Sequence, residues 1–223
     1  MLDPWARAVL AGPLGQAARY LDRPAVTPNR LTVAGLVLGL GSAGAAAGRW
    51  WTIALLLWLA SRLADGLDGP LARRRGATNA GGYLDICADF CVYGASAVGV
   101  GIGAPGGGLP FLFVMLAYYV NGTAFLAFSS IAERAGQADH ADRRSGGRSL
   151  NFLGGIAEGT ETIVVHTLWL LLPGMAGPIA WIWAGLVGLT AGHRVVDGYC
   201  RLRTGPAATT TASVPVDRRD PHA

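Results

Sequence analysis

Charge is scarce in this chain. Asp, Glu, Lys and Arg make up 14% of its 223 residues, where a soluble domain carries about 25%. So few charged side chains cannot clothe a water-exposed surface. Hydrophobic residues make up 52% and the mean hydropathy is +0.38, a composition for which lipid is the natural solvent. Cysteine is nearly absent: Cys87, Cys91 and Cys200 are an odd number inside apolar segments and offer no disulfide framework. A cleavable leader is not expected from the first residues either. Met1 to Arg23 is interrupted by Pro4, Gly12 and Pro13 and has no small-residue cleavage site behind a long apolar core. No internal repeat is found. Glycine, by contrast, is plentiful, and its 33 copies suit membrane helices whose backbones approach closely. The length allows one membrane domain of several helices.

The net charge is +4 and the pI about 9.3. The basic residues sit in short loops between apolar runs, which points to topology and lipid headgroups and not to nucleic acid. The pattern predicts an all-α, polytopic membrane protein with six transmembrane helices near 31–48, 50–67, 83–104, 109–132, 153–173 and 178–200, each close to the ~20 residues a bilayer core requires. The loop after the second span carries Arg73, Arg74 and Arg75. The loop after the fourth carries Arg134, Arg143, Arg144 and Arg148, and the tail carries Arg201, Arg203, Arg218 and Arg219. The alternate loops hold only Arg49. This asymmetry places both termini and both basic loops in the cytoplasm of a cell (inner) membrane protein. Residues 1–23 read as an N-terminal interfacial amphipathic segment, with Trp5, Val9, Leu10, Leu14, Tyr20 and Leu21 in the membrane interface and Arg7 and Arg19 among headgroups. The alternative is a loose arm broken at Gly12-Pro13. Residues 24–203 form the membrane domain. The tail, 204–223, is rich in Pro, Ala and Thr and is expected to be disordered.

The chemistry is concentrated in residues 65–89. Asp65 and Asp68 are spaced i, i+3 at the end of the second span; Asp85 and Asp89 are spaced i, i+4 at the start of the third. On helices each pair projects from one face, and a short loop lets the two faces meet. Carboxylates that converge in low dielectric must neutralise or find cations. One source of positive charge is Arg73, Arg74 and Arg75. The other is divalent metal, because all-oxygen ligation suits hard ions such as Mg²⁺ or Mn²⁺. Two such ions roughly 3.5–4 Å apart are the usual clamp for attack on phosphorus.

The same residues carry a family resemblance. Asp65, Asp68, Gly69, Ala72 and Arg73, then Gly81, Asp85 and Asp89, are eight positions in the order Asp-x-x-Asp-Gly-x-x-Ala-Arg … Gly-x-x-x-Asp-x-x-x-Asp. Upstream, Thr27-Pro28-Asn29 with Leu31 and Thr32 precedes the first span. Together they resemble the CDP-alcohol phosphotransferase family over residues 24–200. The gap of seven residues between Arg73 and Gly81 is one shorter than is common there, and Pro70 after Gly69 is expected to kink or restart the helix. The resemblance implies transfer of a phosphoalcohol, chiefly phosphatidyl, group from a CDP-alcohol such as CDP-diacylglycerol to an alcohol acceptor, with release of CMP in phospholipid synthesis. It implies that Asp65, Asp68 and Asp85 hold two ions of Mg²⁺ or Mn²⁺, with Asp89 on the second ion and acting as general base. Asn29, Thr32, Asp65, Gly69, Ala72, Arg73 and Thr78 would meet the donor, Gly69 and Ala72 by letting the nucleotide approach the backbone and Arg73 through its planar fork. Asn29 also suits a helix cap. A homodimer is implied as well.

The acceptor site is less defined. Glu158 and Glu161 share a face at the opening of the fifth span, where they could meet a polyol or cationic alcohol or simply favour a helix N-terminus. A phosphorylated acceptor would need a basic group such as Arg148. His166 reads as a packing or polar-network residue, the pair Cys87 and Cys91 as small packing residues, Asp139, His140 and Asp142 as an exposed polar loop, and His193, Arg194 and Asp197 as a local polar or ion-pair network near the cytoplasmic face. Two alternatives accompany the main reading: the same chemistry with a CDP-linked polyol donor and an inositol phosphate or similar acceptor, and a non-enzymatic divalent-cation-binding membrane protein or transporter. The second needs a polar path to both faces, whereas the acids here gather toward one.

Overall fold

The structure, a computed structural model, describes residues 3–134 and 158–204. Among the described residues all regular structure is helical: α1 (Asp3–Leu21), α2 (Pro28–Ala47), α3 (Trp51–Arg75), α4 (Asn79–Gly103), α5 (Gly108–Arg134), α6 (Gly159–Leu171) and α7 (Ala176–Thr204), with a 3₁₀ turn at Pro173–Met175 before the last. Four stretches are long and apolar enough to cross a membrane: Pro28–Ala47, Asn79–Gly103, Gly108–Glu133 and Pro173–Arg203. The second expected span, α3, is long enough but carries Arg62, Asp65 and Asp68. The fifth is described only from residue 158, and its helix, α6, has 13 residues.

The helix boundaries follow local chemistry. Thr27 caps α2, its hydroxyl accepting from the Arg30 N–H at 3.3 Å, with Pro28 in the first turn where its missing N–H costs nothing. The cap is therefore Thr27, and Asn29 lies inside the helix. Thr78 caps α4 in the same way, accepting from the Gly81 N–H at 3.1 Å. Between α3 and α4, Gly76 adopts φ 91°, a conformation that a side chain disfavours, and turns the chain within three residues. Pro70 does not restart the helix: α3 runs unbroken through it.

Helix α2 packs on α3 and α4, and α5 pairs with α7. Small residues set the α2–α4 approach. A Cβ at Gly99 or Gly103 would collide with the carbonyl groups of Ala43 and Ala46, so these glycines let the backbones touch. The core gathers Trp58, Val92, Val100, Phe111, Trp169 and Trp183. Its polar atoms are paired across helices: Trp58 Nε1 donates to Thr167 Oγ1 at 3.0 Å, and Trp183 Nε1 donates to the Tyr118 hydroxyl at 2.7 Å. That hydroxyl lies 2.7 Å from His166 Nε2, and His166 Nδ1 is 3.0 Å from Ser96 Oγ. His166 is thus a buried network residue. The outer faces are apolar, with Val37, Leu56, Leu63, Ile102, Leu112, Ile182 and Leu189 exposed, which suits a lipid surround.

Helix α1 is continuous through Pro13 and lies along α3. Asp22 fastens it there, accepting from Arg75 Nε at 2.8 Å and from Arg74 Nε at 3.1 Å. These guanidinium groups, Arg75 first, hold the Asp22 carboxyl below its ordinary range. Arg75 also donates to the carbonyls of Arg23 and Val26 at 2.7 Å each, so one side chain organises the whole link from α1 to α2.

Candidate active site

The site is assembled where the last turns of α3 face the first turns of α4. Carboxylate oxygens of Asp65, Asp68 and Asp85, one from each, lie within 4.8 Å of one another. Asp65 and Asp85 are half-buried and Asp68 is buried at 6% exposure. The helical spacing that pairs Asp65 with Asp68 and the Gly76 turn that reverses the chain bring them together. From α2, the buried Thr32 hydroxyl donates to Asp68 Oδ2 at 2.6 Å and so sets the rotamer of that carboxylate. The donor set is all oxygen and the groups are close enough to share one ion, so these residues fit a hard divalent cation.

Asp89 adjoins this trio through Asp65, with which its side chain is in hydrogen-bond contact. Its Oδ1 accepts from Arg62 Nη1 at 2.8 Å, and the same nitrogen is 3.7 Å from Asp65 Oδ2. Arg62 went unnoticed in the sequence, although a charged residue inside the apolar run Trp51–Leu63 was the available signal. It supplies a protein cation at the cluster, the part for which the sequence offered Arg73, Arg74 and Arg75 as the alternative to metal. Of those three, Arg74 and Arg75 turn instead to Asp22.

The other predicted donor residues cluster at the same end. Asn29 Oδ1 and Thr78 Oγ1 close on Gly81, where a Cβ would lie only 3.2 and 3.1 Å from them, so the missing side chain lets the two polar groups approach the backbone there. Arg73 is exposed, and its Nη1 would lie 3.5 Å from a Cβ at Gly69. Gly69 and Ala72 are half-buried along this rim. Toward α6, Glu158 precedes the first turn as its cap residue and Glu161 lies within that turn, both half-buried. Arg148 lies outside the described residues, as do Asp139, His140 and Asp142. The expected network of His193, Arg194 and Asp197 does not form. His193 is exposed, Asp197 accepts from Arg201 at 3.0 Å, and Arg194 is buried against α5, donating to Asn121 Oδ1 at 3.1 Å over the Phe125 ring. Cys87 and Cys91 are exposed free thiols and not packing residues.

Comparison with known proteins places this geometry. The family model described as CDP-alcohol phosphatidyltransferase matches residues 25–191. The inner membrane protein YnjF of Escherichia coli (strain K12) is 39% identical over 210 residues, covering 92% of this chain and 98% of that protein. The fold is similar to that of the phosphatidylinositol phosphate synthase of Mycobacterium tuberculosis, solved with CDP-DAG bound. The TM-score is 0.60 at 21% identity over 90% of this chain and 98% of that one. The apolar helices and the inner-membrane relative make this a multi-pass membrane protein. The family match spans most of the chain and contains all four aspartates, and the chain belongs to the CDP-alcohol phosphatidyltransferase family, enzymes that transfer a substituted phosphate group from a CDP-alcohol.

Proposed function

We propose that this enzyme moves a phosphatidyl group from CDP-diacylglycerol to an alcohol and releases CMP. The observation that carries the reading is the three-carboxylate cluster of Asp65, Asp68 and Asp85 on facing helix ends, with Asp89 one turn further along α4. A membrane-embedded site suits a donor whose diacyl part stays in lipid, and the CDP-DAG bound to the structural neighbour is consistent with it. Asp65, Asp68 and Asp85 would hold Mg²⁺ or Mn²⁺, with Asp89 completing a second ion's ligands. Bound there, the cations would offset charge on the diphosphate and on departing CMP. The protein's own part is positional. Thr32 fixes Asp68, Asn29 and Thr78 beside Gly81 meet the nucleotide with their polar side chains, and Arg73 reaches the phosphates. Asp89 takes the proton of the acceptor hydroxyl as its oxygen bonds to the distal phosphorus and the bond from that phosphorus to the CMP oxygen breaks. The six-span layout, cytoplasmic termini, membrane domain over residues 24–203 and homodimeric state belong to the same reading.

A second reading concerns the acceptor's charge. Buried Arg194 has an Nε without a hydrogen-bond partner among the described residues, and an acceptor carrying phosphate would satisfy it. Its donor is a CDP-alcohol of either kind, lipid or polyol.

The test is purified protein supplied with Mn²⁺, labelled CDP-diacylglycerol or a CDP-linked polyol, and a panel of free and phosphorylated alcohols. CMP release with a new phospholipid is expected, and Asp89→Asn should abolish it while leaving a folded, membrane-inserted protein. Full activity in that variant would remove Asp89 from the chemistry, and turnover of the polyol donor alone would replace the lipid reading.

A further inference from the structure

Arg62 sits beneath the carboxylate cluster, and its surroundings hold it still. Its side chain is 7% exposed. Nη1 donates to Asp89 at 2.8 Å, and Nη2 donates to Ser61 Oγ at 3.0 Å, whose own hydroxyl donates to the Gly35 carbonyl of α2 at 2.7 Å. The guanidinium carbon is 5.2 Å from the ring centre of Trp58 and 5.0 Å from that of Tyr93. Its Nε has no hydrogen-bond partner among the described residues, so the aromatic faces offset part of its burial. The cage is itself locked. Trp58 is bonded to Thr167 and stacks on His166 with 5.0 Å between ring centres, and His166 is held by Ser96 and Tyr118. Helices α2, α3, α4, α5 and α6 thus all contribute to fixing one guanidinium.

A buried charge of this kind is costly unless it has a specific partner. Here the partner is the carboxylate to which the proposed mechanism assigns the proton. We propose that Arg62 is a positioning residue. It clamps one oxygen of Asp89, leaves the other to serve cation and acceptor hydroxyl, and tempers the cluster's hold on divalent cations by placing one positive charge at its base. With four carboxylates and one guanidinium the formal charge is −3 where the acids alone would give −4. A cation attracted by four acids alone would be bound more tightly, and Asp89 would be free to turn onto it.

The inference rests on the proposed transferase reading, and the measurements separate the two. Mn²⁺ affinity is read on metal-free protein without donor, and kcat and donor KM are read from CMP release. Arg62→Gln is expected to bind Mn²⁺ at least about tenfold more tightly, because a nearby like charge has gone. Its kcat should fall about 100-fold through loss of Asp89 placement, with donor KM little changed. Arg62→Lys keeps the charge but not the fork that holds Asp89 and Ser61 together. Its Mn²⁺ affinity should stay near that of the parent while kcat falls. A merely structural arginine would lower the melting temperature of both variants without tightening Mn²⁺. Equal or weaker Mn²⁺ binding by Arg62→Gln, or parental kcat in Arg62→Lys, overturns the inference. If the Gln variant does not fold, the Lys variant decides by its kcat alone. A parent protein that neither binds Mn²⁺ nor releases CMP would instead refute the transferase reading.

Discussion

Replacing Thr32 by valine removes one hydroxyl and almost no volume, and with it the short bond to Asp68 and a longer contact, 3.2 Å, to the Pro28 carbonyl. The bond to Asp68 is 2.6 Å long between two groups each 6% exposed, so water cannot easily replace it. A hydrogen bond to a charged group contributes about 2 kcal/mol, and each 1.4 kcal/mol is a factor of about ten, giving roughly 30-fold. An independent guide agrees: removing an outer partner of a metal-ligating group costs about 10–100-fold in affinity or activity. The Mn²⁺ concentration for half-maximal CMP release by Thr32→Val should therefore rise roughly 30-fold. Thr32→Ser, which keeps the hydroxyl, should stay near the parent. The melting temperature in detergent should also fall by several degrees in the Val variant, because the buried Asp68 loses a partner, and Thr32→Ser controls for that change by keeping the bond. A Val variant with unchanged Mn²⁺ dependence and unchanged kcat would show that Asp68 does not need Thr32, and that the cluster is held by α3 and α4 alone.

Two further outcomes test the fold around the site. Gly99→Val forces a side chain into the Ala43 carbonyl of α2 and should destabilise the protein by about 3 kcal/mol, read as a lower melting temperature in detergent; an unchanged melting temperature would deny the close α2–α4 approach. The Asp22 bridge should be sensitive to acid. Its folded pKa lies below the ordinary 3.8, so its contribution is present above that value and fades as the pH falls through the lower folded pKa. Hydrogen exchange in α1 of the parent should match that of Asp22→Asn at low pH and be slower than the variant's at neutral pH; equal exchange at neutral pH would mean the bridge does not hold α1.

Much of the site could be read along the chain because its parts are local. The i, i+3 and i, i+4 spacings of the aspartates need only a helix to put each pair on one face, and Gly76 with Thr78 marks the turn that sets the pairs opposite each other. Other features turned on competition between nearly equal local choices. Thr27 and Asn29 are both good caps, and Pro28 settles the matter by standing best in the first turn. Pro70 would break an isolated helix, yet α3 passes through it, with Leu67, Asp68 and Leu71 around it buried against neighbouring helices.

The sequence alone determined that the chain is helical, that lipid surrounds it and that four acids lie at one end of two consecutive helices, because each follows from composition or a short repeat. Only the tertiary structure decided which cation meets which acid. Arg62 lies 27 residues from Asp89 and Arg75 lies 53 from Asp22, and such pairings depend on how whole helices rotate and pack against one another, which no local pattern of side chains encodes.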